Sequence, residues 1–190
     1  MPRPREFDEA VAVEKAMHAF WDHGYEGTST ARLCEATGLS RSSIYNTFSS
    51  KHALFRLSLR HYMDSATQRR LDQLAGDRPV RDKIRDLFAQ TIDDEFRSPR
   101  GCLVVNTAAE LGGRDAEVSE DLRRDTERLT AALRDAIEAG RRAGEIAEDK
   151  DPLTLARFVH TTAGGLRVMA RSGADRAALE NVAEVALATL

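Results

Sequence analysis

Cysteine is scarce in this chain of 190 residues: the two that occur, Cys34 and Cys102, are too few for a disulfide framework, and no partners stand at zinc-finger spacing. A reducing compartment fits that usage. The five histidines, at 18, 23, 52, 61 and 160, include no pair four residues apart, so no metal site is expected. Long hydrophobic runs are missing too. No stretch approaches the roughly 18 apolar residues of a membrane span, and acidic residues soon after Met1 argue against a secretory signal. The expectation is a cytoplasmic protein with no membrane partner. Neither a grouping of nucleophile, base and orienter nor a phosphate loop is found, so no catalytic residue and no cofactor is expected. A helical enzyme or scaffold remains the alternative from another class. Strand-length alternation and internal repeats are also lacking, which leaves an all-α reading.

What is there is ordinary in bulk, with 42% hydrophobic and 31% charged residues, as in globular proteins. A formal charge of −3 excludes indiscriminate polyanion binding. Residues 1–60 hold 8 Lys and Arg against 7 Asp and Glu, a balance of +1, while residues 61–190 hold 20 against 24, a balance of −4. Nucleic-acid contact must therefore come from a few placed residues in the N-terminal third.

The stretch TSTARLCEATGLSRSSIYNTFSSK, residues 28–51, supplies them. Thr28 or Ser29 caps a short helix whose apolar face is Leu33, Cys34 and Ala36, and Gly38 ends it. Ser40 caps a second helix, residues 41–48. Ile44 and Phe48 anchor it along one edge, while Arg41, Ser42, Ser43, Tyr45, Asn46 and Thr47 cover the rest. A helix so clad in donors and acceptors has the dress of a recognition helix in a major groove. Lys51 falls in the first turn of a third helix, where the helix dipole disfavours a cation by roughly 0.3 to 1 kcal/mol. A phosphate beside it accounts for the placement; a solvated lysine is the plain alternative.

Around this stretch, Phe7 to Gly24 follows helical spacing, with Phe20 and Trp21 as the core on which the short helices rest. Residues 1–6, with Arg3 and Arg5, read as a basic arm, either disordered or touching DNA. A long helix from Lys51 to Leu74 links two halves. Helices then follow from Val80 to Phe96, Cys102 to Leu111, and from Asp115 or Ser119 to Gly140 or Gly144, the last with an outer charged face of local ion pairs. Asp151 and Pro152 open a further helix with Ala163, Gly164 and Gly165 at its middle, and Asp175 opens the last. These two terminal helices, about 152–171 and 175–190, are expected to pair with their copies as a four-helix bundle in a homodimer, the alternative being that they fold back on the core. Helical spacing offers Phe88, Ile92, Phe96 and Leu103 as lining of a ligand pocket, a placement core packing explains equally well.

The run GYEGTSTARLCEATGLSRSSIYNTFSSKHALF resembles the DNA-binding signature of the TetR family of bacterial transcriptional regulators. The resemblance implies about nine helices: an N-terminal three-helix helix-turn-helix domain, residues 1–52, and a C-terminal effector-binding and dimerisation domain, residues 53–190. It implies a repressor released from a pseudo-palindromic double-stranded DNA operator by a small-molecule effector of unknown identity. Carried over by position, Thr30, Tyr45, Asn46 and Lys51 hold phosphates, Arg41, Ser42 and Ser43 face base edges, and Thr47 lies near the groove wall. Thr28 and Ser29 head the same surface. Arg41 is the residue expected to read guanine, since its fork pairs O6 and N7 together. Cys34 and Thr37 stand where the family usually has alanine. The segment PRGCLVVNTAAELGGRDAEVSEDLR resembles a subgroup in which some members respond to electrophiles or oxidants through a cysteine. That resemblance makes Cys102 a redox candidate, supported by a helix N-terminus and the adjacent Arg100; the alternative is a small buried hydrophobe.

Overall fold

The computed structural model describes residues 7–98 and 100–190, so the basic arm lies outside the described residues. Among these, nine α-helices and no strand are found. They are α1 (Glu9–Gly27), α2 (Thr30–Thr37), α3 (Arg41–Phe48), α4 (Lys51–Leu74), α5 (Val80–Arg97), α6 (Leu103–Leu111), α7 (Ala116–Arg142), α8 (Pro152–Arg171) and α9 (Arg176–Ala188).

Local chemistry sets most of the boundaries. Asp8, Ser29, Ser40, Ser50, Asp115, Asp151 and Asp175 each accept a backbone N–H of the turn they begin, and each such cap is worth about 1 kcal/mol. Gly38 closes α2 at φ 75°, in the left-handed region a side chain resists. The end of α7 lies at Arg142, past Gly140. Gly140 sits inside the last turn, where an added Cβ would come within 2.3 Å of the Val80 side chain.

Two apolar clusters form. One gathers Phe20, Leu33, Ile44, Phe48, Leu54 and Phe55 and takes in Leu103 and Leu111 of α6 and Val118 of α7. The other joins α5, α7, α8 and α9 through residues such as Ile84, Phe88, Leu133, Val159 and Leu187. Each fully buried Phe contributes roughly 1.5 to 3 kcal/mol. Phe20 meets Phe55 edge-on at 5.0 Å. Trp21 is half-buried and packs against the first cluster, stacks edge-on with Tyr62 of α4 at 4.8 Å and donates its indole N–H to Gly101 O, just before α6, at 3.0 Å.

The charged face of α7 also departs from the local-pair reading. Glu120 pairs locally with Arg123 and Arg124, but Asp121, whose side chain is 2% exposed, takes Arg56 Nε at 2.7 Å and Arg60 Nη2 at 2.8 Å from α4. Glu117 also takes Arg56, and His52 Nε2 meets Asp115 at 2.7 Å. Burial pushes the Asp121 carboxyl up, but the hydrogen bonds from Arg56 and Arg60 outweigh it and hold the group below the usual carboxylate range.

One face stays uncovered. Phe158, Val168 and Met169 on α8 and Val182 and Val185 on α9 are exposed, and nothing lies within 4 Å of a Cβ added at Gly164 or Gly165. No helix among the described residues is long and apolar enough to cross a membrane.

Candidate nucleic-acid interface

Three short starts build this surface. Ser29 Oγ accepts Arg32 N at 3.2 Å, Ser40 Oγ accepts Ser43 N at 3.1 Å, and Ser50 Oγ accepts Ala53 N at 2.9 Å. The Ser40 hydroxyl also lies 2.9 Å from both the Ser42 and Ser43 hydroxyls, which gathers three serines at the head of α3. With Ile44 1% and Phe48 4% exposed beneath it, α3 shows Arg41, Ser42, Tyr45 and Asn46 outward, with Ser43 and Thr47 half-buried at its flanks. The Arg41 guanidinium lies 5.7 Å from the Tyr45 ring centroid, and Tyr45 Oη meets Thr30 Oγ1 at 3.2 Å. Arg41, Tyr45 and Thr30 thus form one continuous donor-rich strip running from α3 to α2.

Lys51 Nζ stands 4.4 Å over the Tyr25 ring. A ring face offsets part of the unfavourable helix-start position for a cation. Thr28 is a correction. It is 0% exposed, and its hydroxyl donates to Gly24 O at 2.6 Å and Ala19 O at 3.3 Å, so it fastens the end of α1 and has no surface to offer DNA. Ser29 is exposed but spends its oxygen on the cap. Thr37 is accommodated, for its buried hydroxyl donates to Leu33 O at 2.6 Å and accepts Leu39 N at 3.2 Å. Cys34 is a free, half-buried thiol packed against the apolar cluster.

The head is joined to the rest at a point that pattern reading passed over. Gly24 breaks α1 with φ 71°, and the turn beyond it presents the N–H groups of Tyr25 and Glu26 to the Glu110 carboxylate of α6, at 3.0 and 2.8 Å. An open cleft of about 610 Å³ lies beside this contact, bordered by Trp21, Tyr25, Leu103, Asn106, Glu110 and Arg171. Of the expected pocket residues, Leu103 borders it. Phe88 and Ile92 are 1% and 2% exposed inside the apolar core, and Phe96 is 48% exposed with the Arg176 guanidinium 4.9 Å from its ring centroid; none of the three borders this cleft.

Cys102 is 5% exposed at the N-cap of α6, and Tyr62 Oη donates to its sulfur at 3.6 Å. Burial first, and Cys102 second, push the Tyr62 phenol well above its usual range. Arg100 does not serve the thiol as its adjacency suggested: its guanidinium pairs with Asp22 at 2.7 Å and meets His18 Nδ1 at 3.0 Å.

Comparison with known proteins decides the lineage. The model described as "Bacterial regulatory proteins, tetR family" matches residues 12–57, and the one described as "Tetracyclin repressor-like, C-terminal domain" matches residues 79–186. The chain belongs to the TetR family. Its membership makes it a DNA-binding transcriptional regulator and not an enzyme. It is 33% identical over 192 residues to the HTH-type transcriptional repressor ComR of Escherichia coli (strain K12), covering 99% of this chain and 90% of that one. To the uncharacterized HTH-type regulator YezE of Bacillus subtilis (strain 168) it is 29% identical over 194 residues, with 100% of both covered. A cysteine mutant of the TetR family regulator CifR, solved with 26-base-pair double-strand operator DNA, is 36% identical, with 97% of each chain covered and a TM-score of 0.83. The all-α architecture read from the sequence agrees with these.

Proposed function

We propose that this TetR family member is a cytoplasmic homodimeric repressor that binds a pseudo-palindromic operator and leaves it when a small molecule binds the C-terminal helices. The observation that carries the reading is the strip of Arg41, Tyr45 and Thr30 on a helix anchored only by Ile44 and Phe48. Residues 1–52 read DNA, residues 53–190 bind effector and dimerise, and α4 crosses between them. Arg41, Ser42 and Ser43 address base edges; Thr30, Tyr45, Asn46 and Lys51 address phosphates; Thr47 flanks the groove wall.

Dimerisation buries the exposed apolar residues of α8 and α9, with Gly164 and Gly165 admitting the partner's helix closely. Two heads held this way meet successive major grooves only at one spacing, about 34 to 36 Å or a multiple. An effector that prefers a conformer with another spacing lowers operator affinity by its differential binding free energy. Glu110 and the Asp121 clamp are the contacts through which α6 and α7 would move the head. Footprinting on DNA flanking the gene tests this. A protected inverted repeat is expected, and protection of a single half-site by a monomer would contradict the dimer.

A second reading has its own observation, the Tyr62 hydroxyl on the Cys102 sulfur at the head of α6. There Cys102 is an oxidant-responsive switch. Cys102→Ser would then keep operator binding and lose release by peroxide; undiminished release would remove the reading.

A further inference from the structure

The C-terminal ends of α4 and α5 enclose a cleft of about 430 Å³ whose polar walls are Arg69, Arg70, Gln73, Gln90, Asp94 and Arg97. The single carboxylate among them is already engaged, accepting Gln90 Nε2 at 2.7 Å and Arg97 Nη1 at 3.2 Å. Arg70 is half-buried, yet its guanidinium makes no hydrogen bond or ion pair with any described residue. Desolvation by burial, and then the like charge of Arg167, lower its pKa from the usual arginine value. Arg167 is itself held by Thr91 Oγ1 at 3.2 Å, Ala163 O at 3.2 Å and, at 3.8 Å, Glu95, and the nearby Asp125 is taken by Thr67 Oγ1 at 2.7 Å. Asp125 is the one carboxylate whose charge favours the Arg70 guanidinium, from beyond ion-pair distance; a partly desolvated guanidinium that makes no ion pair costs free energy that a bound anion offsets, and a planar fork suits a two-oxygen headgroup. DNA is not that anion: Arg70 stands 19 residues along α4 from Lys51, about 28 Å at the rise of an α-helix.

We propose that this cleft seats the oxyanion headgroup of the effector, a small carboxylate or phosphate-bearing molecule held by the Arg70 fork with Arg69 beside it. The inference rests on the reading of the C-terminal helices as effector-binding.

The test is calorimetric titration of the full chain with sodium benzoate and, separately, inorganic phosphate, at fixed ionic strength against sodium chloride. Saturable binding of at least one is expected, weakened ten-fold or more by Arg70→Met and less by Arg70→Lys, with circular dichroism and melting confirming that both variants fold. Saturation by benzoate alone assigns a carboxylate, and by phosphate alone a phosphate. Absence of binding above the chloride control, or equal binding by Arg70→Met, overturns the proposal, as does loss of operator affinity in Arg70→Met without any change in anion binding. A parallel operator titration keeps the two readings apart: an anion that binds to a chain with no operator affinity defeats the repressor reading, and an operator bound by a chain that takes up neither anion defeats the cleft.

Discussion

At the N-terminal half of α4, Arg56 and Arg60 close on the buried Asp121 carboxylate; some 15 Å further along the same helix, Arg69 and Arg70 face a cleft whose one lining acid, Asp94, is taken by Gln90 and Arg97 of α5. The residue type is the same and so is the helix, but the carboxylates are distributed unequally. A guanidinium with a dedicated, desolvated partner makes a joint, and here the joint ties the helix leaving the reading head to α7. A guanidinium that makes no ion pair is left open to an anion from outside the chain. Arginine content alone, read along α4, distinguishes neither.

The largest effect should come from breaking the joint. Asp121→Ala removes the shared partner of Arg56 and Arg60 and should cost about 3 kcal/mol of stability, at the low end for a broken buried pair because Arg56 keeps Glu117 and Arg60 is half open to water. Urea denaturation measures it. The contribution is also pH-dependent in a fixed sense. The folded-state pKa of Asp121 is depressed, so the stabilisation is present above the unfolded value of about 3.9 and is lost as pH falls through the lower folded value. The gap between wild type and Asp121→Ala should therefore be full at pH 6 and shrink below about pH 4; a gap independent of pH would deny the ion pair its role.

Next in size is the reading head itself. Arg41→Ala should cost about 1 to 3 kcal/mol of operator affinity and relax preference at one base pair, whereas Lys51→Ala should weaken all sequences alike and reduce the salt slope by about one per subunit. Equal losses across sequences for both would remove Arg41 from base reading.

Glu110→Ala leaves the N–H groups of Tyr25 and Glu26 to water and should cost about 1 kcal/mol of stability. Its sharper signature is a weakened link between effector binding and operator release. At the far end of α4, Arg70→Met should change stability by less than about 1 kcal/mol, in either direction, when no anion is added. A loss as large as that of Asp121→Ala would mean that Arg70 has a structural partner and would erase the contrast between the two ends.

How much of this was legible in the sequence follows from the range of each interaction. Ser29, Ser40, Ser50, Asp151 and Gly38 announce helix ends because a cap is made within three or four residues. Ile44 and Phe48 reveal the orientation of α3 because one turn separates them. Glu110 meets Tyr25 across 85 positions and Asp121 meets Arg56 across 65, and no local pattern encodes either contact. The i, i+4 spacing of Glu117 with Asp121, facing that of Arg56 with Arg60, was the available hint, hidden among the local pairs of α7. Phe88 and Ile92 show a related limit: helical periodicity tells which face is buried, not whether that face meets other side chains or an open cleft. Thr28 shows the same limit at smaller scale, since a threonine beside a helix start can cap outward or fasten inward, and the bend at Gly24 decided for the latter.

The most direct test of the central claim is a titration of the chain against DNA flanking its gene, with footprinting at several salt concentrations. Two protected half-sites in inverted repeat are expected, spaced by about one helical turn or a multiple of it, with affinity falling linearly in log salt. No protected inverted repeat at any salt concentration would contradict the account.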